Sequence, residues 1–220
     1  MTHSKKLYWQ FAGSVGLVIF MIIGYLVKFY EETLFKIDIP VRDFFINHRS
    51  KALTDIFLWL TKFGNTVTIT LLLVISLSLL YKYRYRIESI WLFINTALIA
   101  GLGNYLIKFL FHRTRPDVTH LVFAPHFSFP SGHAMASGLL YGTLILLAPL
   151  LIKKRNLRLL VQVVLASLIV LIGVSRIYLG VHYLSDIIGG FMLGGAWLCF
   201  TYPYFISYKL KATFRSSYQN

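Results

Sequence analysis

Long apolar stretches joined by short polar segments make up most of this chain. Crossing a hydrocarbon core of ~30 Å takes about 20 residues of helix. On that measure the pattern predicts six spans, at 7–29, 64–81, 87–110, 131–152, 157–175 and 184–208, with an alternative start near residue 55 for the second. Residues 31–55 are the only sizeable segment outside them, so no separate soluble domain is expected and residues 1–220 read as a single membrane domain. The expected class is an all-α integral membrane protein. The first apolar run, 7–29, exceeds the ~7–15 residues of a signal core and ends at Lys28 without a small-residue cleavage site, so it reads as a retained span.

Composition sharpens this picture. Hydrophobic residues make up 57% of the chain and charged residues 14%, against about 25% charged in a soluble domain. Cys199 is the only cysteine, which excludes a disulfide or a cysteine zinc site within one chain. Gly189-Gly190 and Gly194-Gly195 would let the last span pack closely. The net charge of +14 suggests a nucleic-acid partner only until it is sorted by side. With the N-terminus in the cytoplasm, the inner segments hold Lys5, Lys6, Lys82, Arg84, Arg86, Lys153, Lys154, Arg155, Arg158, Lys209, Lys211 and Arg215 against one acid, Glu88. The outer segments hold ten cations and seven acids, and three of those cations, Lys108, Arg115 and Arg176, belong to polar islands. This positive-inside pattern puts both termini in the cytoplasm of a multi-pass cell-membrane protein and suits anionic lipid better than nucleic acid.

Three polar islands then stand out: Lys108 with Arg115-Pro116, Pro130-Ser131-Gly132-His133, and Ser175-Arg176 with His182 and Asp186. Ionisable groups are costly near a bilayer, so their concentration marks a functional site. The 13 residues 117–129 separate the first two islands, and 41 residues, about two crossings, lie between His133 and Ser175. All three therefore fall at one, extracytoplasmic, level. Lys108 and Arg115 supply a point charge and a planar fork for phosphate oxygens. Ser131 suits a helix N-cap, and Gly132 leaves the first backbone N–H groups open to an anion. His133, in that first turn, is placed to donate a proton. If the last span begins near His182, Asp186 lies on the same helix face and can hold one ring nitrogen while the other attacks. A metal site built from His112, His120, His126, His133 and His182 is disfavoured, because Lys108, Arg115 and Arg176 would repel a cation and no carboxylate cluster offsets them.

Taken in order, K-x6-RP, PSGH and SR-x5-H-x3-D, spanning residues 108–186, resemble the signature of the type 2 phosphatidic acid phosphatase (PAP2) superfamily, in its bacterial membrane branch. The resemblance implies a helical core in the C-terminal half of the chain and a phosphatase that needs no metal or other cofactor. It implies that His182 attacks phosphorus to form a phosphohistidine, that Asp186 orients it, and that His133 protonates the leaving oxygen and then activates water. Lys108, Arg115, Ser131, Gly132 and Arg176 would hold the phosphoryl oxygens. Arg113 lies outside the motif positions and is expected to be a loop charge, and His112, His120 and His126 ordinary loop histidines.

The substrate implied is a lipid phosphate or diphosphate: undecaprenyl diphosphate first, then phosphatidylglycerophosphate and phosphatidate. No protein partner is evident. Residues 31–50 carry apolar and charged residues together, and read either as an amphipathic wall beside a lipid entrance or as a connecting loop, since Pro40 interrupts a helical pattern. Vanadate-dependent halide oxidation is a minor alternative within the superfamily. A non-catalytic anionic-lipid binder or transporter is the alternative outside enzymes; it is disfavoured because the span centres carry almost no charge.

Overall fold

The computed structural model describes residues 3–217; Arg215, counted above among the inner cations, lies outside the described side chains. Among the described residues the regular structure is helical throughout. It comprises α1 (His3–Phe29), α2 (Glu31–Asn47), α3 (Lys51–Thr61), α4 (Thr66–Lys82), α5 (Arg86–Phe93), α6 (Asn104–Phe111), α7 (Gly132–Leu151), α8 (Arg155–Tyr178) and α9 (Leu184–Ser217). Ile94–Gly103 winds in wider π-type turns and joins α5 to α6 as one span, Arg86–Phe111. Among the described residues five helices are long and apolar enough to cross a membrane on their own. The expected sixth span exists only as a bent pair, Lys51–Gly64 with Thr66–Lys82, broken by 49°.

Two helix caps and one tertiary contact set that bend. Ser50 caps α3 by accepting from Leu53 N at 3.3 Å, and Asn65 caps α4 by accepting from Thr68 N at 2.8 Å, so each helix starts with a satisfied donor. Gly64 sits between them where no side chain fits: a Cβ there would lie 2.6 Å from Ile172 and 3.0 Å from the His133 ring. The bend thereby presses the α3–α4 junction onto α7 and α8.

α7 is the central element, touching α8, α9, α4 and the wide-turn segment. Its Leu139, Leu140 and Leu147 are fully buried with Leu92 and Ile172. Opposite faces of α1, α4 and α8 expose Val18, Ile22, Leu71, Ile75, Val163 and Val170, which lipid rather than water would solvate. α1 packs along α9, where Gly13 and Gly16 meet Cys199, Phe200 and the Met192 carbonyl. The expectation for the paired glycines of α9 holds in part. Gly189 and Gly190 abut Phe129 and the Ser131 carbonyl, but Gly195 faces open space.

Residues 31–55 are not a connecting loop. They form α2 and the start of α3, with Pro40 inside α2, and α2 packs on α8 and α9 with Leu34 and Asp38 buried. The connections after α2, α6 and α8 meet at one end of the bundle. Arg49 donates from Nε and Nη2 to the Tyr178 carbonyl at 3.1 and 2.8 Å and from Nη1 to that of Thr119 at 3.1 Å, tying the α2–α3 joint to the loop over the site.

Candidate active site

At that end the three polar islands converge. The Ser131 N–H donates to the Asp186 carbonyl at 3.0 Å, joining the start of α7 to α9. The Lys108 ammonium, nine-tenths buried at the end of α6, donates to the Phe127 carbonyl at 2.5 Å. Arg115 reaches the carbonyls of Val181 at 2.6 Å, Pro125 at 2.8 Å and His126 at 3.1 Å, so its fork is held from several sides. Arg176 donates from Nη1 to Thr61 at 2.7 Å, while its buried Nε has no protein partner. Ser131 caps α7, accepting from Ala134 N at 3.4 Å. His133 and Gly132 follow in the first turn and, with Lys108, line one cavity. Arg176, Lys108 and Arg115 lie near enough to His133 for their charges to act on it.

The His182–Asp186 pair forms by a different route from the one expected. α9 begins at Leu184, so His182 lies ahead of the helix and no shared helical face aligns the two. Instead the chain turns at Gly180, whose φ of +79° suits glycine, and Asp186 accepts from the Tyr183 N–H at 2.8 Å, folding the segment back over its own helix start. The His182 Nδ1 then lies 3.3 Å from Asp186 Oδ2. A carboxylate only accepts, which assigns the proton to Nδ1 and leaves the Nε2 lone pair facing the Arg115 Nη1 donor at 3.2 Å. Burial pushes the imidazole down to about 3 against the opposing pull of Asp186, so His182 is neutral at physiological pH.

Arg113 is not a loop charge. Its side chain is fully buried, and all three guanidinium nitrogens are used: Nη1 donates to Asp186 Oδ1 at 2.6 Å and Ser185 Oγ at 2.7 Å, Nη2 to Asp38 at 2.8 Å, and Nε to Glu31 at 2.9 Å. Burial alone would lower its pKa. Asp186 first, then the bonds to Asp38 and Glu31, more than offset this and raise it above the ordinary arginine value. The sequence reading missed this because the partners lie on α2, outside the motifs. One signal was present: Asp38 falls on the stripe Leu34, Asp38, Val41, Phe45, at helical spacing, and a carboxylate at a core position requires a buried partner. Ser128 was also missed. Its hydroxyl donates to Asp186 Oδ2, and nothing in the sequence marks it.

His112, His120 and His126 take no part in the pair. His112 ends α6 in a left-handed conformation, His120 bonds the Pro116 carbonyl at 2.9 Å, and His126 lies on the cavity wall. Among the described residues no group of three or more His, Cys, Asp or Glu gathers as a metal site would require.

The profile of the PAP2 superfamily matches residues 89–208, more than half of the chain and all three islands. The chain belongs to the PAP2 superfamily. It is 40% identical over 97 residues to phosphatidylglycerophosphatase B of Bacillus subtilis (strain 168), covering 42% of this chain and 46% of that protein. It is 31% identical over 110 residues to the lipid A 1-phosphatase of Rhizobium etli, covering 46% and 43%. The matched stretch thus spans less than half the length of these curated relatives. Among solved PAP2 structures, the transmembrane phosphatidylglycerolphosphate phosphatase of Bacillus subtilis superposes with a TM-score of 0.77 at 25% identity over 91% of this chain and 97% of that one. Aquifex aeolicus LpxE shares the fold, with a TM-score of 0.56 at 24% identity over 74% and 93%. The PAP2 match begins at residue 89, so α2, with Asp38 and Glu31, lies outside it.

Proposed function

We propose that this protein is a lipid phosphatase that works without a metal, at the extracytoplasmic face of the cell membrane, through a phosphohistidine on His182. One observation carries the reading. A neutral imidazole is fixed by Asp186 through Nδ1, and its Nε2 lone pair faces the Arg115 guanidinium. A site that only held an anion would gain nothing from an oriented lone pair.

In the proposed reaction Nε2 of His182 attacks phosphorus and the bond from phosphorus to the leaving oxygen breaks. His133 gives its proton to that oxygen. Asp186 stabilises the ring once it carries the phosphoryl group, as the orienting carboxylate does in nucleophile–base pairs. His133, now neutral, takes a proton from water, the hydroxide attacks phosphorus, and phosphate leaves as His182 is restored. Lys108, Arg115 and Arg176, with Ser131 and the backbone N–H at Gly132, neutralise the equatorial oxygens, which is most of what phosphoryl transfer asks of a protein. The unpartnered Nε of Arg176 fits such a role.

A lipid substrate is supported by the cavity of about 630 Å³ beside Lys108 and His133, whose deeper wall is apolar. The names of the relatives, phosphatidylglycerophosphatase and lipid A phosphatase, point the same way. The distribution of charge supports an outward-facing site with cytoplasmic termini. Undecaprenyl diphosphate, phosphatidylglycerophosphate and phosphatidate are the candidates to assay. The decisive experiment is phosphate release by purified protein in mixed micelles, with no gradient to drive transport. We expect release, inhibition by orthovanadate but not by EDTA, and no turnover by a folded His182→Ala variant. Near-normal rates from that variant would falsify the nucleophile assignment.

A further inference from the structure

Lys108 and Arg115 are anchored on backbone carbonyls within residues 89–208, whereas Arg176 is anchored on a side chain that precedes them in the chain. Its Nη1 donates to the Thr61 hydroxyl at 2.7 Å, and both residues are buried. Thr61 closes α3, and the turn that follows is fastened to α7. There the Tyr141 hydroxyl donates to the Phe63 carbonyl at 2.7 Å, and Gly64 leaves room for the His133 ring. The Thr61 hydroxyl therefore sits on a fixed point of the bundle, on a turn pressed against His133.

A guanidinium has two unlike edges. Nη1 lies on the side of Cδ, while Nε and Nη2 point the other way as a parallel pair that can meet two oxygens of one phosphoryl group. The same pair of Arg49 closes on the Tyr178 carbonyl. In Arg176 the pair makes no hydrogen bond to the described residues, and its Nε is buried. Thr61 thus takes the one nitrogen outside the matched pair and leaves that pair open. We infer that Thr61 is a positioning residue for phosphoryl transfer: by holding Nη1 it fixes the rotamer of Arg176 and aims the Nε–Nη2 edge at the phosphoryl oxygens. This rests on the phosphatase reading and extends it to α3. Without the bond the long side chain regains rotamers, and a charged donor is left unpaired in a buried site. The misalignment weighs most in the transition state, where charge spreads over the equatorial oxygens that fixed cations must meet.

The test uses the full-length protein in mixed micelles, with a lipid phosphate monoester as substrate and orthovanadate as the transition-state probe. Thr61→Val keeps the shape and removes the acceptor, and Thr61→Ala removes it without the β-branch. Each should lower kcat/KM by about tenfold, mainly through kcat, and weaken orthovanadate by a similar factor. Thr61→Ser keeps the hydroxyl and should stay within about threefold of wild type. To separate aim from packing, Thr61→Val is repeated in an Arg176→Ala background, where protection from thermal unfolding by orthovanadate reads binding without turnover. There the Thr61 change should alter orthovanadate affinity by less than about twofold. Thr61→Val and Thr61→Ala turning over within about threefold of wild type overturn the proposal. So does a Ser variant as slow as Val, or an undiminished loss of orthovanadate affinity in the Arg176→Ala background. These outcomes leave the phosphatase reading standing; wild-type protein that neither releases phosphate nor binds orthovanadate sinks both.

Discussion

Arg113→Lys probes how the His182–Asp186 pair is held. The arginine spreads one positive charge over three nitrogens that contact Asp186, Ser185, Asp38 and Glu31 at 2.6 to 2.9 Å. Lysine keeps the charge but concentrates it on one nitrogen, which cannot span α9 and α2 together. At least two charge-assisted bonds are then lost, each worth about 1.5–3 kcal/mol. Because the cation still lies among three carboxylates, part of this is regained, and a stability loss of about 3 kcal/mol is expected. The catalytic effect follows from position: Asp186 loses its Oδ1 anchor, and a shift of about 1 Å in the nucleophile costs roughly 100-fold in rate. The groups proposed to hold phosphate, Lys108, Arg115 and Arg176, are untouched, so KM should stay within about threefold while kcat falls. Phosphate release kinetics on a lipid phosphate in micelles, with thermal unfolding of the same sample, measure both. A variant that is destabilised yet turns over within about threefold of wild type would show Arg113 to be scaffolding only. Asp38→Asn keeps the shape, removes one buried charge, and should lower kcat by about tenfold by the same route.

Three further outcomes follow from the geometry. Ser128→Ala removes the hydroxyl that donates to Asp186 Oδ2, and should lower kcat about fivefold, by roughly 1 kcal/mol, with KM unchanged; a larger change in KM than in kcat would place Ser128 on the substrate instead. The His182 pKa is depressed to about 3 in the folded protein, so the stability this confers is full above the unfolded value of about 6.5 and is lost as pH falls towards 3. Wild type should therefore lose up to about 2 kcal/mol more stability than His182→Asn between pH 7 and pH 5, and parallel unfolding curves for the two proteins would contradict the burial argument. Gly189→Ala would set a Cβ 2.4 Å from the fully buried Phe129, which is stacked on Phe20; overpacking of about 1–3 kcal/mol should lower the melting temperature in detergent.

The spans and the polar islands were legible because their physical causes are local. Apolar length and the cost of charge in lipid act on consecutive residues, and so do helix caps such as Ser131. The bend between α3 and α4 was not legible, since it depends on Gly64 meeting Ile172 and His133 from α8 and α7. The π-type winding of Ile94–Gly103 has no residue signal that we can name. The assumed helical face for His182 and Asp186 failed because the helix starts two residues later. Their spacing still served, since the Asp186 carboxylate both caps its own helix at Tyr183 and reaches the ring.

Arg113 shows where reading by motif stops. A cation two residues from Arg115 looked like one more loop charge because the chemistry of the islands was complete without it. Its importance appears only when α2 is added. Asp38 and Glu31 come from a segment that lies 75 and 82 residues away in the chain and before the PAP2 match. They neutralise a guanidinium whose remaining nitrogen steadies Asp186. The site therefore has two layers of different origin. Residues 108–186 supply the groups proposed to meet the phosphoryl oxygens, and α2 supplies the carboxylates that hold Arg113, and through it Asp186, in register. On this logic the outer helical segment is not interchangeable with any amphipathic cover. A replacement that kept its apolar face but lacked a carboxylate at position 38 would leave Arg113 under-compensated in a buried site, at a cost of about 3–5 kcal/mol for a broken buried pair.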